Sequence, residues 1–280
     1  MTLAYPVRGE FWLQDAMGRV QNAAVDRQDL NLKWSHLCEE AVDLAFDRFG
    51  VSLHSVYLSG QAARNRPGGG SIIVLLAMNA KPPSTAHWAS AVSEELRRRS
   101  GIKTGLNVHV LRWRDAVSPS MRYTPVQFRL AVNAICIGGR DVTTEIGQPR
   151  VDEAVANTML VSFERRMEKA KAKTLASDSR SRIRSISATV GHAVVSAGYA
   201  TVMASEDLYT EDLDLRRDLF TMHYPERKDD IQRAYDMAAL PSFDPVQVRS
   251  YINDTRKWVT PIVEDWLNTY NPERAELLNV

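Results

Sequence analysis

The chain has little cysteine, no long apolar run and, over its central stretch, no aspartate. Its two cysteines, Cys38 and Cys136, sit in apolar, helix-like surroundings. Their spacing supports neither a disulfide nor a metal site, so both are expected in the core, and a reducing, cytoplasmic location follows as the expectation. No apolar stretch approaches the ~20 residues needed to cross a bilayer. Residues Met1 to Pro6 lack the basic start and apolar continuation of a secretory signal, so no membrane contact is expected. The formal net charge of +1 excludes a global attraction for nucleic acid or anionic lipid. Between Asp47 and Asp115 the only acids are Glu94 and Glu95.

What is present suits a chain with a real core: 44% of residues are hydrophobic and 25% charged. The length of 280 residues fits one large or two ordinary domains. Residues 1–30 are weakly periodic, with an aromatic pair at Phe11 and Trp12, and read as an arm packed on the body. Trp34, Leu37, Cys38, Ala41, Leu44, Ala45 and Phe49 recur at helical spacing and predict a helix ending near Gly50. Ser55–Ser59 reads as a short strand and Ile72–Met78 as a strand buried on both faces. Residues 85–99 read as a helix whose three terminal arginines complement its dipole. Leu106, Val108 and Val110 alternate with Asn107, His109 and Leu111, which predicts a third strand. A further helix is expected over about 124–137, stopped by Gly138-Gly139.

After Pro149 the β signals vanish. Helices are expected over 151–175, 178–205, 211–223, 228–240 and 244–258. A last one should open at Thr260-Pro261, a cap followed by proline at the first helical position, and run to about Tyr270. The expected organisation is an α/β domain at 1–148, with 1–30 as its arm, and an all-helical domain at 149–280.

The segment Val56 to Gln61, a Gly-rich loop and then Ser71 to Leu76 have a layout with chemical meaning. A small turn before a strand offers backbone N–H groups to phosphate. Nucleotidyl transfer needs Mg²⁺ held by hard oxygen ligands. Two carboxylates at i and i+2 of a strand share a face and can share a metal. The layout resembles the nucleotidyltransferase superfamily, in which a strand ends in Gly-Ser and an Asp-x-Asp strand follows about ten residues later. Here Gly60-Gln61 takes the Gly-Ser place and Ser71-Ile72-Ile73 falls where Asp-x-Asp belongs. The third carboxylate position, on the next strand, matches Asn107 or His109. Arg64, Pro67 and Gly68–Gly70 are similar to that family's loop. Phe128 to Val142, ending Gly138-Gly139-Arg140-Asp141-Val142, resembles its closing helix and Gly-x-Asp turn. Leu215 to Leu240, with His223-Tyr224-Pro225-Glu226, resembles the C-terminal helical domain of aminoglycoside adenylyltransferases.

The resemblance implies an α+β fold: a nucleotidyltransferase-like mixed-sheet α/β domain followed by an all-helical bundle domain, with the metal site stripped of its acids. It implies a nucleotide site at Ser59, Gly60, Gln61, Arg64, Gly69, Gly70, Ser71 and His109. No metal ligand is assigned. Ile73 cannot ligate, and His109 prefers softer metals than Mg²⁺. The only ligand implied is ATP or another nucleotide. Mg²⁺ enters only if acids such as Asp115, Asp141 or Glu145 reach the site from elsewhere. From residue 55 to 105, seven Lys or Arg face two Glu, a local excess able to hold a nucleotide or an RNA phosphate without metal, or to be simply solvated.

Other motifs compete. Arg217 and His223, six positions apart, resemble the Arg–His pair of HEPN ribonucleases, where His acts as acid or base on a 2′-OH and Arg stabilises the phosphorane. The same residues fit the adenylyltransferase-like helical domain without any chemistry. His192 lies in an apolar stripe and reads as an interior histidine. His36 and His87 read as surface or packing residues, and the six tryptophans as core. Arg165, Arg166, Lys169, Lys171 and Lys173, then Arg180, Arg182 and Arg184, form a basic stripe that reads either as a solvated face or as the border of a ligand cleft.

The resulting expectation is a degenerate, non-catalytic nucleotidyltransferase-fold protein. It would bind a nucleotide or other phosphate ligand, or a protein partner or second copy of itself, as a regulatory or assembly subunit. The alternatives are an active enzyme transferring AMP to a small molecule, protein or RNA through a non-standard metal site, and a HEPN-type ribonuclease using Arg217 and His223. An active transferase requires acids converging on Ser71. A ribonuclease requires Arg217 and His223 together on an open surface.

Overall fold

Four short, largely apolar segments build a four-stranded sheet in a computed structural model that describes residues 10–66, 69–77, 84–101, 105–117, 124–177 and 179–278. The strands are β1 (Leu53–Gly60), β2 (Gly70–Leu76), β3 (Leu106–Arg112) and β4 (Ala134–Gly139), in the order β3-β2-β1-β4. β1 runs antiparallel to β2 and β4, whereas β2 and β3 are parallel. A parallel pair needs a crossover. Two helices cover one face of the sheet, α1 (Leu32–Phe49) and α2 (Thr85–Ser100), of which α2 is that crossover.

The asparagine before α1 caps it: Lys33 N–H donates to Asn31 Oδ1 at 3.0 Å. The buried stripe of α1 (Trp34, Leu37, Ala41, Ala45) and that of α2 (Val92, Leu96) meet Val56, Leu58, Ile72, Val74, Val108 and Val110 in one apolar cluster. The opposite face carries Tyr57, Ile73 and Leu75. These pack against α3 (Trp113–Ala116) and α4 (Pro125–Val132), chiefly through Ala116 and Leu130. A short α5 (Thr143–Ile146) follows. β2 is therefore buried on both sides, as its unbroken apolar run predicts.

The expected helix over 124–137 divides. α4 begins with a reciprocal capping box between Thr124 and Gln127 and ends at Asn133. The chain then becomes β4, an outer strand alongside β1. Ile135 and Ile137 face the α1 side, Cys136 the other. The run Leu130 to Ile137 is apolar at every position but Asn133, so its pattern alone did not separate helix from strand.

The chain divides into two compact units, one being Leu13–Pro149 and the other Arg150–Val280 together with the segment ending at Trp12. Trp12 N–H donates to Tyr209 C=O at 2.8 Å and Glu10 N–H to Asp212 Oδ2 at 3.0 Å, so residues 10–12 are tied into the second unit. That unit is helical: α6 (Glu153–Leu160), α7 (Phe163–Leu175), α8 (Arg180–Glu206), α9 (Leu213–His223), α10 (Lys228–Ala239) and α11 (Pro245–Tyr270). α8 touches each of the other five. It is long and apolar enough to cross a membrane, but 72% of its most apolar window is buried inside the protein, as in a core helix. Gly191 lets the α10 backbone approach: a Cβ there would lie 2.5 Å from Ala238 N.

Two helices expected at 244–258 and 260–270 are one, α11. Pro261 sits inside it. Pro261 is exposed, so the carbonyl one turn back that loses its partner can turn to water.

Among the described residues the fold is thus α+β, with a mixed sheet unit and a helical unit.

Candidate functional site

β1 ends at Gly60 with φ +93°, a backbone conformation that glycine adopts without steric cost. The chain then makes a single tight turn, Gln61–Arg64. Three backbone donors of this segment are engaged within the fold. Gly60 N–H donates to Asn133 C=O at 3.4 Å, Ala62 N–H to Gly69 C=O at 3.2 Å and Arg66 N–H to Gln61 C=O at 3.0 Å. Arg64 is buried at 6% exposure, and its Nη2 donates to Gln61 Oε1 at 2.9 Å. Gln61 and Arg64 therefore brace the turn from within.

Gly69 and Gly70 have packing reasons of their own. A Cβ on Gly69 would fall 2.4 Å from Gly105 C=O, and one on Gly70 2.7 Å from the Ala62 Cβ. The loop glycines thus let the start of β2 pass against the start of β3. Pro67 and Gly68 lie outside the described residues.

The register then places the positions that matter. Ser71 pairs with Ser59 on β1 and with Asn107 on β3; Ile73 pairs with Tyr57 and His109. Cross-strand partners share a face. Ser59, Ser71, Asn107 and His109 thus form a polar strip across three strands, beside the Gly-rich turn. Ser59 is buried and its Oγ donates to Ser71 C=O at 3.4 Å. Ser71 is half-buried, and Asn107 and His109 are exposed. Ile73 is 2% exposed, within the apolar cluster under α3 and α4. The strip offers hydroxyl, amide and imidazole groups and no carboxylate.

The acids considered as substitutes are engaged elsewhere. Asp115 receives Arg112 Nε at 2.9 Å and Nη2 at 2.7 Å. Asp141 accepts from the Tyr57 hydroxyl at 2.9 Å and from Thr143 N–H at 2.9 Å. Tyr57 in turn accepts from Val142 N–H at 2.6 Å, and burial pushes its phenol well above the ordinary value. Glu145 pairs with Arg140 at 3.0 Å. Among the described residues no group of three or more His, Cys, Asp or Glu is placed to hold a metal ion.

Three of the seven cations counted around the loop are ion-paired. Arg97 pairs with Glu94 at 3.1 Å and Arg98 with Glu95 at 2.7 Å, while Arg99 bridges Glu95 and Glu40. Glu40 comes from α1, outside the stretch counted from the sequence. Lys81 and Lys103 lie outside the described residues.

In the helical unit Arg217 and His223 go separate ways. Six residues along a helix separate side chains by roughly 120° around the axis. Arg217 pairs with Asp218 at 2.6 Å and lies 4.6 Å from the ring centre of Tyr235 on α10. His223 Nε2 meets Glu206 Oε1, at the end of α8, at 2.8 Å. They form no joint site. His192 is also not interior: it is exposed along a concavity of the helical unit. The tryptophans are all buried or partly buried, and Cys38 is buried, its thiol pushed up to about 12 by desolvation.

No family model matches the chain, and no curated protein matches it significantly.

Proposed function

We propose that the protein is a non-catalytic, nucleotidyltransferase-like binding protein, acting as a regulatory or assembly subunit through the polar strip of its sheet unit. One observation carries the reading. The strand register aligns Ser71, Ile73, Asn107 and His109 where the resemblance calls for carboxylates, and the central position, Ile73, is sealed in apolar packing. A Mg²⁺ ion needs hard anionic oxygen at that spot, whereas an apolar side chain supplies none.

The strip can still hold a phosphate or a ribose by hydrogen bonds. Ser71 offers a hydroxyl, Asn107 an amide and His109 an imidazole. A protein partner or a second copy of the chain can dock there in the same way, alongside the polar outer edge of β3. A reducing, cytoplasmic setting accords with both cysteines being free.

Calorimetric titration with ATP, with and without Mg²⁺, tests the reading in the intact protein and in His109→Ala. Binding that does not depend on Mg²⁺ and weakens in His109→Ala is expected. Binding that requires Mg²⁺ would sink the non-catalytic reading. Binding indifferent to His109→Ala would remove the strip as its nucleotide site.

A further inference from the structure

The helical unit contains a cavity of ≈ 870 Å³ between α7 and α8, and its chemistry is one-sided. Arg166, Lys169 and Lys173 reach it from α7, Arg182 and His192 from α8. Among the described residues no acidic side chain lines it. None of the four Lys and Arg forms an ion pair among the described residues.

The charges of α7 are sorted by face. Its acids Glu164 and Glu168 are both held by Arg256 of α11, leaving its cations on the α8 side without anionic company. Arg166 is the most committed of them. Its Nη2 donates to the Met159 carbonyl, while its Nε is buried with no hydrogen-bond partner. Burial alone pulls its pKa down, with no neighbouring carboxylate to oppose the effect. A buried guanidinium donor left unmatched costs free energy unless an anion completes it.

The rest of the wall is apolar or small. Met167, Ile186, Val190 and Ala193 contribute hydrocarbon, and Ser196 adds a hydroxyl that accepts from Arg216 Nη1 at 2.9 Å. A recess of this size, part apolar and part cationic, suits a small ligand with a flat apolar portion and several negative charges. It is less suited to an extended polymer, which requires a long groove. We propose that this cavity binds a nucleoside polyphosphate, its phosphates held by Arg166, Lys169, Lys173 and Arg182 and its base against the apolar wall. The site lies wholly within the helical unit and does not depend on the sheet strip.

The test titrates the full chain with ATP, ADP and inorganic tripolyphosphate in low salt without divalent cation. Two triple variants are compared. Lys169→Gln/Lys173→Gln/Arg182→Gln neutralises exposed cations of the cavity. Arg27→Gln/Lys33→Gln/Arg48→Gln removes the same charge from exposed positions of the sheet unit, on and just before α1. Thermal melting checks that each is folded. The cavity variant is expected to bind ATP at least roughly tenfold more weakly per cation removed. The sheet-unit variant should match the parent.

Preference for ATP over tripolyphosphate would identify a nucleotide; equal binding would identify the phosphate chain alone as what is recognised. Equal weakening in both variants would reveal only diffuse attraction and overturn the site. So would a parent protein that binds none of the three, or binding lost in His109→Ala but kept in the cavity variant. Arg166→Gln gives an independent reading. Removing an unmatched cation should leave the free protein's melting temperature unchanged or higher while weakening ATP; a melting temperature that falls with ATP binding intact would mark Arg166 as a structural residue.

Discussion

At the scale of single residues, the contrast between Ser71 and Ile73 decides how the sheet unit is read. Both occupy positions where the proposed resemblance would put acids, yet one is half-buried and polar and the other sealed. Placing an acid at each position in turn should therefore give unequal results. Ser71→Asp is expected to change stability by no more than about 1 kcal/mol. Ile73→Asp places a charge among Tyr57, Leu75 and Leu130 and is expected to cost about 3–5 kcal/mol. Urea denaturation of the two variants measures the difference. Equal costs would show that the Ile73 side of the sheet is open to water. Much of this was legible in the sequence, because the spacing from Gly60 to Ser71 and the alternation of 106–111 fix which positions share a face. The engagement of the Gly60 N–H was not, since its acceptor is Asn133, far along the chain. Nor was the pairing of Arg99 with Glu40, which requires α1 and α2 to lie side by side.

At the scale of elements, periodicity located α1, β2, β3 and α8, where a single period runs the length of the segment. It failed where one apolar run served two structures. Leu130 to Ile137 is such a run, and the one polar residue in it, Asn133, is the place where helix gives way to strand. Thr260-Pro261 failed in the opposite sense. It carries the signature of a helix start, yet Val259 and Val263 are both buried on the stripe that α11 keeps past the proline. Burial of that stripe outweighs the lost hydrogen bond, whose carbonyl lies toward water. Pro261→Ala should restore the bond. The gain is expected to be about 1–2 kcal/mol, below the full helix penalty of proline because proline also restricts the unfolded chain. A urea midpoint that moves upward checks it; an unchanged midpoint would mean that the break in α11 is already relieved.

At the scale of the whole molecule, each unit holds a histidine kept below its ordinary value: His54, which is half-buried, and His192, which keeps some solvent exposure but is partly desolvated at the wall of the α7–α8 concavity. His54 in the sheet unit and His192 in the helical unit are both lowered from 6.5 chiefly by desolvation, with Arg140 adding to the first against Glu145, and Arg216 adding to the second. A base lowered on folding favours the neutral form in the native state. Its contribution is complete above pH 6.5 and is lost as the pH falls below that value, where the unfolded chain takes up protons first. The melting temperature should therefore drop by a few degrees between pH 7.5 and pH 5.5, with the slope reduced in His192→Asn. A flat profile over that window would contradict the assignment. Residues 10–12 belong to the helical unit, but their hydrogen-bond partners, Tyr209 and Asp212, are about two hundred positions away, with the entire sheet unit between. During synthesis the sheet unit can close as soon as its own residues have left the ribosome. The short segment before it must stay unpaired until α8 and the start of α9 have emerged. Residues 10–12 are thus among the last to find their place, and a ribosome stalled once the sheet unit has emerged but α8 has not would hold a folded sheet unit with those residues still loose.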